Sequence, residues 1–300
     1  MSKFITPVVA IPPAYNEYEQ LEILSTLEYL RYLYRHGARC IMSTAGTSQF
    51  NLLNPKEIIK FNVALMQFQG TKILGIPPLA SRDVDVFLDG IKDTYNKEDC
   101  NFIALYPDRY YSDVCIEDYV KRICDKLQHS IYLHTQKMRS GRGGDWNYNS
   151  DFVNNLYDED LITGIKEEHP NLQESYNFIR GLYSGIQVIV AGGSMRRFSF
   201  LESAGADTFL SGIGNFYPWV ENSFRAAKKN KKKKMFLELE ARFFDVFMKH
   251  GWHSSLRAGL KSKRLTCHYD RQPWPSLHDG YQEIKDILSE IENFKGNDYE

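Results

Sequence analysis

LITGIKEEHPNLQESYNFIRGLYSGIQVIVAGGSMRRFSFLESAGADTFLS, residues 161–211, holds the pattern on which the fold turns. Leu161 to Lys166 is a short apolar run of strand length, and Leu172 to Leu182 follows with helical spacing. Gln187 to Ala191 and Asp207 to Ser211 are further runs of the first kind, with the helical segment Arg197 to Ser203 between them. The same unit recurs toward the N-terminus. Strands are expected at Val8 to Pro12, Arg39 to Ser43, Lys72 to Ile76, Asn101 to Tyr106 and Ser130 to His134. Helices are expected behind them at Leu21 to His36, Pro55 to Phe68, Val84 to Tyr95, Ile116 to Leu127 and Ser150 to Tyr157. Asn54 suits the N-cap of the second helix, with Pro55 in its first turn where a missing N–H costs nothing.

Eight strand-then-helix units close a (β/α)8 TIM barrel. An open doubly wound sheet is the competing arrangement. It ordinarily carries a Gly-rich phosphate turn after its first strand, and Ile11-Pro12-Pro13-Ala14-Tyr15 is not one. Beyond Pro218 strand patterns stop, while Met235 to His250, Arg257 to Lys263 and Tyr281 to Ile291 have helical periodicity. The expected organisation is a barrel over residues 1–218 and a C-terminal helical extension over residues 219–300 packed on it.

Thirty-seven Lys and Arg against 38 Asp and Glu leave a formal charge of −1, which offers no basis for a nucleic-acid or acidic-membrane partner. The lysine run Lys228 to Lys234 has no interleaved aromatics and reads as a solvated helix face or linker rather than a docking patch. No apolar stretch is long enough to span a membrane, and no signal peptide is indicated. The five cysteines, Cys40, Cys100, Cys115, Cys124 and Cys267, lack CxxC spacing and read as reduced thiols of a cytoplasmic protein. His250 and His253 share a face if their helix continues. Two histidines without a placed carboxylate suit capping or packing better than a metal, so no metal site is expected.

Barrel active sites lie at the C-terminal ends of the strands. There the sequence offers Ser43-Thr44-Ala45-Gly46-Thr47, Tyr106 to Tyr111, Tyr132, Lys166, Ala191-Gly192-Gly193-Ser194 and Leu210-Ser211-Gly212. Lys166 ends an otherwise apolar strand. Facing inward, a lysine loses ammonium stability and becomes an amine nucleophile. Facing outward, it snorkels to solvent. A strand tyrosine such as Tyr132 is, taken alone, core packing. The Gly-rich, cationic stretch Lys137 to Trp146 is expected as a long polar loop, either an active-site lid or a solvated surface loop.

In these elements the chain resembles the dihydrodipicolinate synthase and N-acetylneuraminate lyase family of Schiff-base barrels, from about Thr6 to the C-terminal helices. That family carries G-(S/T)-T-G-E after its second strand, a tyrosine pair after the fourth, Y-N-x-P on the fifth and G-(I/V)-K on the sixth. Gly205 to Pro218 and Arg271-Gln272-Pro273-Trp274-Pro275 also resemble family segments. The resemblance makes Lys166 the Schiff-base nucleophile, Tyr132 the proton shuttle beside it and Thr44 the first hydroxyl of the turn. Tyr110 or Tyr111 completes the relay from a neighbouring subunit, and the Thr44-Ala45-Gly46-Thr47 turn holds the substrate carboxylate. Arg139, Gly192 and Leu210 are the further substrate contacts, with Lys137 a rival to Arg139.

What this implies is a lyase or aldolase acting on pyruvate or a related 2-oxo acid, without a cofactor, as a homodimer or homotetramer. The departures are specific. Ser43, Ala45 and Thr47 replace the turn's glycine, second hydroxyl and glutamate, Asp108 and Arg109 displace the tyrosine pair, and Leu133 and Thr135 replace the asparagine and proline after Tyr132. They keep open the alternative of an altered barrel that binds a ligand or partner without turnover.

Overall fold

The computed structural model describes residues 3–77, 81–91, 99–105, 109–140, 145–265, 269–273 and 280–294. Its strands are β1 (Val8–Ala10), β2 (Cys40–Met42), β3 (Thr71–Ile76), β4 (Cys100–Ala104), β5 (Arg109–Tyr110) and β6 (Ile131–Thr135). They continue with β7 (Met138–Ser140), β8 (Asp145–Trp146), β9 (Ile162–Glu167), β10 (Gln187–Val190) and β11 (Thr208–Phe209). The main sheet has eight strands in the order β1-β2-β3-β4-β6-β9-β10-β11, and every strand pair whose register is described within it is parallel. Helices stand between successive strands of this sheet, so the fold is the (β/α)8 barrel. β4 and β6 are buried along their whole lengths, as strands covered on both faces must be, which is why they read as continuous runs with no alternation.

Two compact units divide the described chain. One combines residues 1–5 with Thr71–Leu210. Its helices start where short polar side chains accept orphan N–H groups. Ser112 accepts from Cys115, Asn149 from Phe152, and Asn171 from both Gln173 and Glu174. The register of this unit matters most for function: Tyr132 lies opposite Gly164 and His134 opposite Lys166 across β6 and β9. Because faces alternate along a strand, these four residues share one side. Glu167 therefore points the other way, where it is fully buried. Arg197 binds it at 2.9 Å, and Ser175 Oγ and the His169 N–H each donate to it at 2.8 Å.

The other unit combines Thr6–Gly70 with Ser211–Glu300. Asn54 and Glu57 form the reciprocal capping box of the helix Pro55–Leu65. The Ser211 N–H donates to the Val8 carbonyl at 2.8 Å, which ties the residue just past β11 to the first strand. The C-terminal helices are Pro218–Ala226, Asn230–Lys249, Trp252–Ser262 and Tyr281–Asn293; the second and third meet through aromatic rings, Phe243 and Phe247 stacking at 4.0 Å with Trp252 6.0 Å from Phe247. The lysine run thus opens a helix. Gly251, at φ 83°, breaks the chain between His250 and His253, so the two do not share a helix. His250 instead meets Glu283 at 3.0 Å.

One expectation needs correcting. The stretch read as an open polar loop carries β7 and β8, which pair antiparallel, and β5 pairs parallel with β7. Aromatic contact across this small sheet supplies what its composition hid: Tyr110 stacks on Trp146 at 4.5 Å with the rings 8° apart. Residues 141–144, Tyr106 to Asp108, Cys267 and the Trp274-Pro275 part of the C-terminal segment lie outside the described residues. Among those described, no helix is long and apolar enough to cross a membrane.

The buried Glu167–Arg197 pair sets a test of this frame. Arg197→Ala leaves a fully buried carboxylate without its counter-charge, and should cost about 3 kcal/mol or more in urea unfolding. Replacing both residues with methionine should cost less than the single change, because no buried charge is then stranded.

Candidate active site

Lys166 occupies the inward face of β9 and is 2% exposed. Its Nζ lies 2.8 Å from His134 Nε2 and donates to Glu168 Oε2. The same Glu168 oxygen lies 2.8 Å from His134 Nε2, so amine, imidazole and carboxylate form a closed triangle. Strand register builds it, because His134 is the direct cross-strand partner of Lys166, and Glu168 follows β9 on the same alternation. The Thr135 hydroxyl, donating to the Lys166 carbonyl at 3.2 Å, adds a further tie between the two strands.

Electrostatics set the roles within the triangle. Burial, reinforced by the positive charge of Lys166, pushes the His134 imidazole down to about 4 against the opposing pull of Glu168. At neutral pH it is therefore an uncharged base. Burial would raise Glu168, but the charge of Lys166 and its hydrogen bond outweigh it and hold the carboxyl well below the usual range. A primary amine touching a neutral base, with both oriented by a fixed carboxylate, is the constellation of an activated nucleophile.

Tyr132 stands two residues before His134, opposite Gly164. A Cβ on Gly164 would lie 2.5 Å from Tyr132 Cε1 and 2.6 Å from the Gln187 carbonyl, so glycine is what lets the ring lie there. Gly192, at φ 74°, keeps its backbone beside Glu168, whose Cγ would be 3.8 Å from an added Cβ. The Leu210 N–H is taken by the Val190 carbonyl at 2.7 Å. Tyr110 donates to Asp113 at 2.9 Å, whereas Tyr111 is 71% exposed. Arg139 lies on β7, but its side chain is outside the described part.

The Thr44 turn is built within the other unit. The Thr44 N–H donates to Ser48 Oγ at 2.9 Å, and Ser48 donates to the Ile11 carbonyl at 2.6 Å. Of the amides expected to hold a carboxylate, Thr44's is thus engaged inside the turn. Gly46 is open, with nothing within 4 Å of where its Cβ would be. Thr47 Oγ1 accepts from the Trp252 indole at 3.2 Å. Gln49 ends the turn in a left-handed conformation, φ 49°, and accepts from the buried Arg257 at 2.9 Å. Arg257 also donates to Asp270 at 3.1 Å and to the Pro13 carbonyl, which braces the turn from behind.

Sequence reasoning missed His134 and Glu168. The available signal was their spacing: each lies two residues from a residue already singled out, on the same strand face. The buried thiols Cys100 and Cys124 are both pushed up to about 12 by burial, which makes them inert packing groups.

No family model matches the sequence. Among curated proteins, the 4-hydroxy-tetrahydrodipicolinate synthase of Karelsulcia muelleri is 25% identical over 277 residues, 88% of this chain and 90% of that protein. Dihydrodipicolinate synthase from Bacillus clausii superposes with a TM-score of 0.79 over 96% of this chain and 98% of its own, at 16% identity. N-acetylneuraminate lyase from Fusobacterium nucleatum gives 0.82 over 95% and 97%, at 12% identity. The chain shares the fold of these solved structures over nearly its whole length and resembles the Karelsulcia synthase in sequence.

The triangle makes a pH prediction. Below pH 6.5 the unfolded chain binds a proton on this imidazole that the folded chain refuses until about 4, so stability falls as pH falls through that window. Between about pH 7 and about pH 5 the loss from this group is on the order of 2 kcal/mol. His134→Gln should flatten the decline of the melting temperature over that interval; an unchanged decline would contradict the assigned burial.

Proposed function

We propose that this chain is a Schiff-base-forming lyase or aldolase acting on pyruvate or a related 2-oxo acid, with Lys166 as its covalent nucleophile. The observation that carries the reading is the 2.8 Å contact between the buried amine of Lys166 and His134, on a strand that faces inward. The similarity to the Karelsulcia synthase, which spans 88% of this chain, supports the same chemistry.

The steps need no cofactor. Once Lys166 has given up a proton, its amine attacks the ketone carbon, the oxygen leaves as water, and the resulting iminium draws electrons from the adjacent carbon. Carbon–carbon bonds at that position are then made or broken with the charge delocalised onto nitrogen. Glu168 anchors the amine before attack.

Assembly as a homodimer or homotetramer belongs to the same reading. With Tyr110 stacked on Trp146 and bound to Asp113, the exposed Tyr111 is the member of the pair placed to reach a second copy.

Borohydride reduction in the presence of pyruvate, read by intact mass and peptide mapping, tests the nucleophile. One reduced pyruvate per chain is expected on Lys166, and Lys166→Ala should abolish it. An adduct that survives the substitution moves the chemistry elsewhere. No adduct with any 2-oxo acid leaves a barrel that binds without turnover.

A further inference from the structure

We infer that His134, held against the Lys166 amine that Glu168 anchors, is the proton-transfer residue of this site, in the part the family resemblance gives to Tyr132; the inference rests on Lys166 being the covalent nucleophile. His134 is the cross-strand partner of Lys166, while Tyr132 is attached one layer lower, opposite Gly164. Two residues of strand separate those attachment points by roughly 7 Å. The imidazole already touches the reacting nitrogen, with Nε2 2.8 Å from Nζ.

Chemistry favours the imidazole as well. A phenol offers a proton but accepts one poorly until it has lost its own, whereas a neutral imidazole accepts at one nitrogen while it donates from the other. Burial keeps His134 neutral, so its lone pair is available at physiological pH. With the proton of the neutral ring on Nδ1, the Nε2 lone pair accepts from Nζ, and Glu168 Oε2 accepts from the same Nζ, which fixes the amine against the ring. Nδ1 is buried and has no hydrogen-bond partner among the described residues. A buried ring nitrogen left uncommitted costs stability and is the group through which a proton is handed on when substrate fills the site.

The proton inventory closes. A proton of the Lys166 ammonium passes to His134, freeing the nitrogen lone pair. That pair forms the C–N bond to the ketone carbon, and the carbonyl π electrons move to oxygen, which takes the proton back from His134. A second proton from nitrogen reaches the same hydroxyl through the ring. Water leaves as the C=N bond forms, so ketone and ammonium give iminium and water. His134, neutral again, then removes a proton from the methyl carbon. The C–H electrons form the C=C bond of the enamine, and the C=N π electrons return to nitrogen.

The last step is readable without a second substrate, as exchange of the pyruvate methyl protons for deuterium in heavy water, followed by proton NMR. Wild type, His134→Gln, His134→Asn and Glu168→Gln are compared, with thermal melts as the folding control and borohydride adducts measured in parallel. In the folded His134 variants the Lys166 adduct should still accumulate on long incubation. Methyl exchange should fall by at least about 100-fold. Glu168→Gln should lower exchange by a smaller factor.

Exchange at the wild-type rate in either folded His134 variant overturns the inference, as does loss of exchange in Tyr132→Phe with retention in His134→Gln. Should both His134 variants unfold, wild-type exchange in Glu168→Gln overturns it. A wild-type adduct with undiminished exchange in the variants removes the relay alone. Absence of the adduct in wild type removes the nucleophile and the relay together.

Discussion

Everything at this site depends on how one amine is kept out of water. An ammonium moved into a protein interior loses its hydration, and only a partner of opposite charge and well-placed hydrogen bonds make the position tolerable. Lys166 has both, Glu168 as the charge and His134 as the second contact. Such an arrangement is a poor way to gain stability, since a well-packed apolar side chain would do as well or better. On the proposed function its use is chemical, because it holds a nucleophile and a neutral base at contact distance before substrate arrives.

The strand pair β6–β9 turns that local requirement into geometry. Cross-strand register, rather than loop conformation, brings His134 to Lys166, so the triangle has the precision of the sheet. Alternation then gives the two neighbouring charges of β9 opposite duties. Lys166 points inward to His134 and Glu168, and Glu167 points outward, where Arg197, Ser175 and the His169 amide pin the strand to the helices behind it. Gly164 completes the design from below, because any side chain there would meet Tyr132 and the β10 backbone. A displacement of β9 by one residue would exchange the faces of Lys166 and Glu167 and destroy both arrangements at once.

Much of this was legible in the sequence. The eight short apolar runs are continuous because parallel strands are buried on both faces, and the helix Pro55–Leu65 announces its start with Asn54. Lys166 stood out as a lysine ending an apolar strand, a pattern that equally fits a side chain snorkelling to solvent, and the family resemblance made it the expected nucleophile. His134 was not singled out, for a strand histidine passes as a core residue, and the resemblance gives the proton-shuttle role to the tyrosine two positions earlier. The register shift between Ile131 and Tyr132 sets which residue of β6 lies opposite Lys166, and nothing in the composition signals it. The small β5–β7–β8 sheet was hidden for a related reason. Its strands are two or three residues long and flanked by glycine and charge, and the stacking of Tyr110 on Trp146 joins residues far apart in sequence.

The most direct measurement is a crystal structure of the protein soaked with pyruvate. The account predicts continuous density from Lys166 Nζ to the second carbon of pyruvate, with the His134 ring within hydrogen-bonding distance of that nitrogen and Glu168 still on the ring. Pyruvate bound without a bond to Lys166, or bonded to it with His134 turned away and another group against the nitrogen, would contradict it.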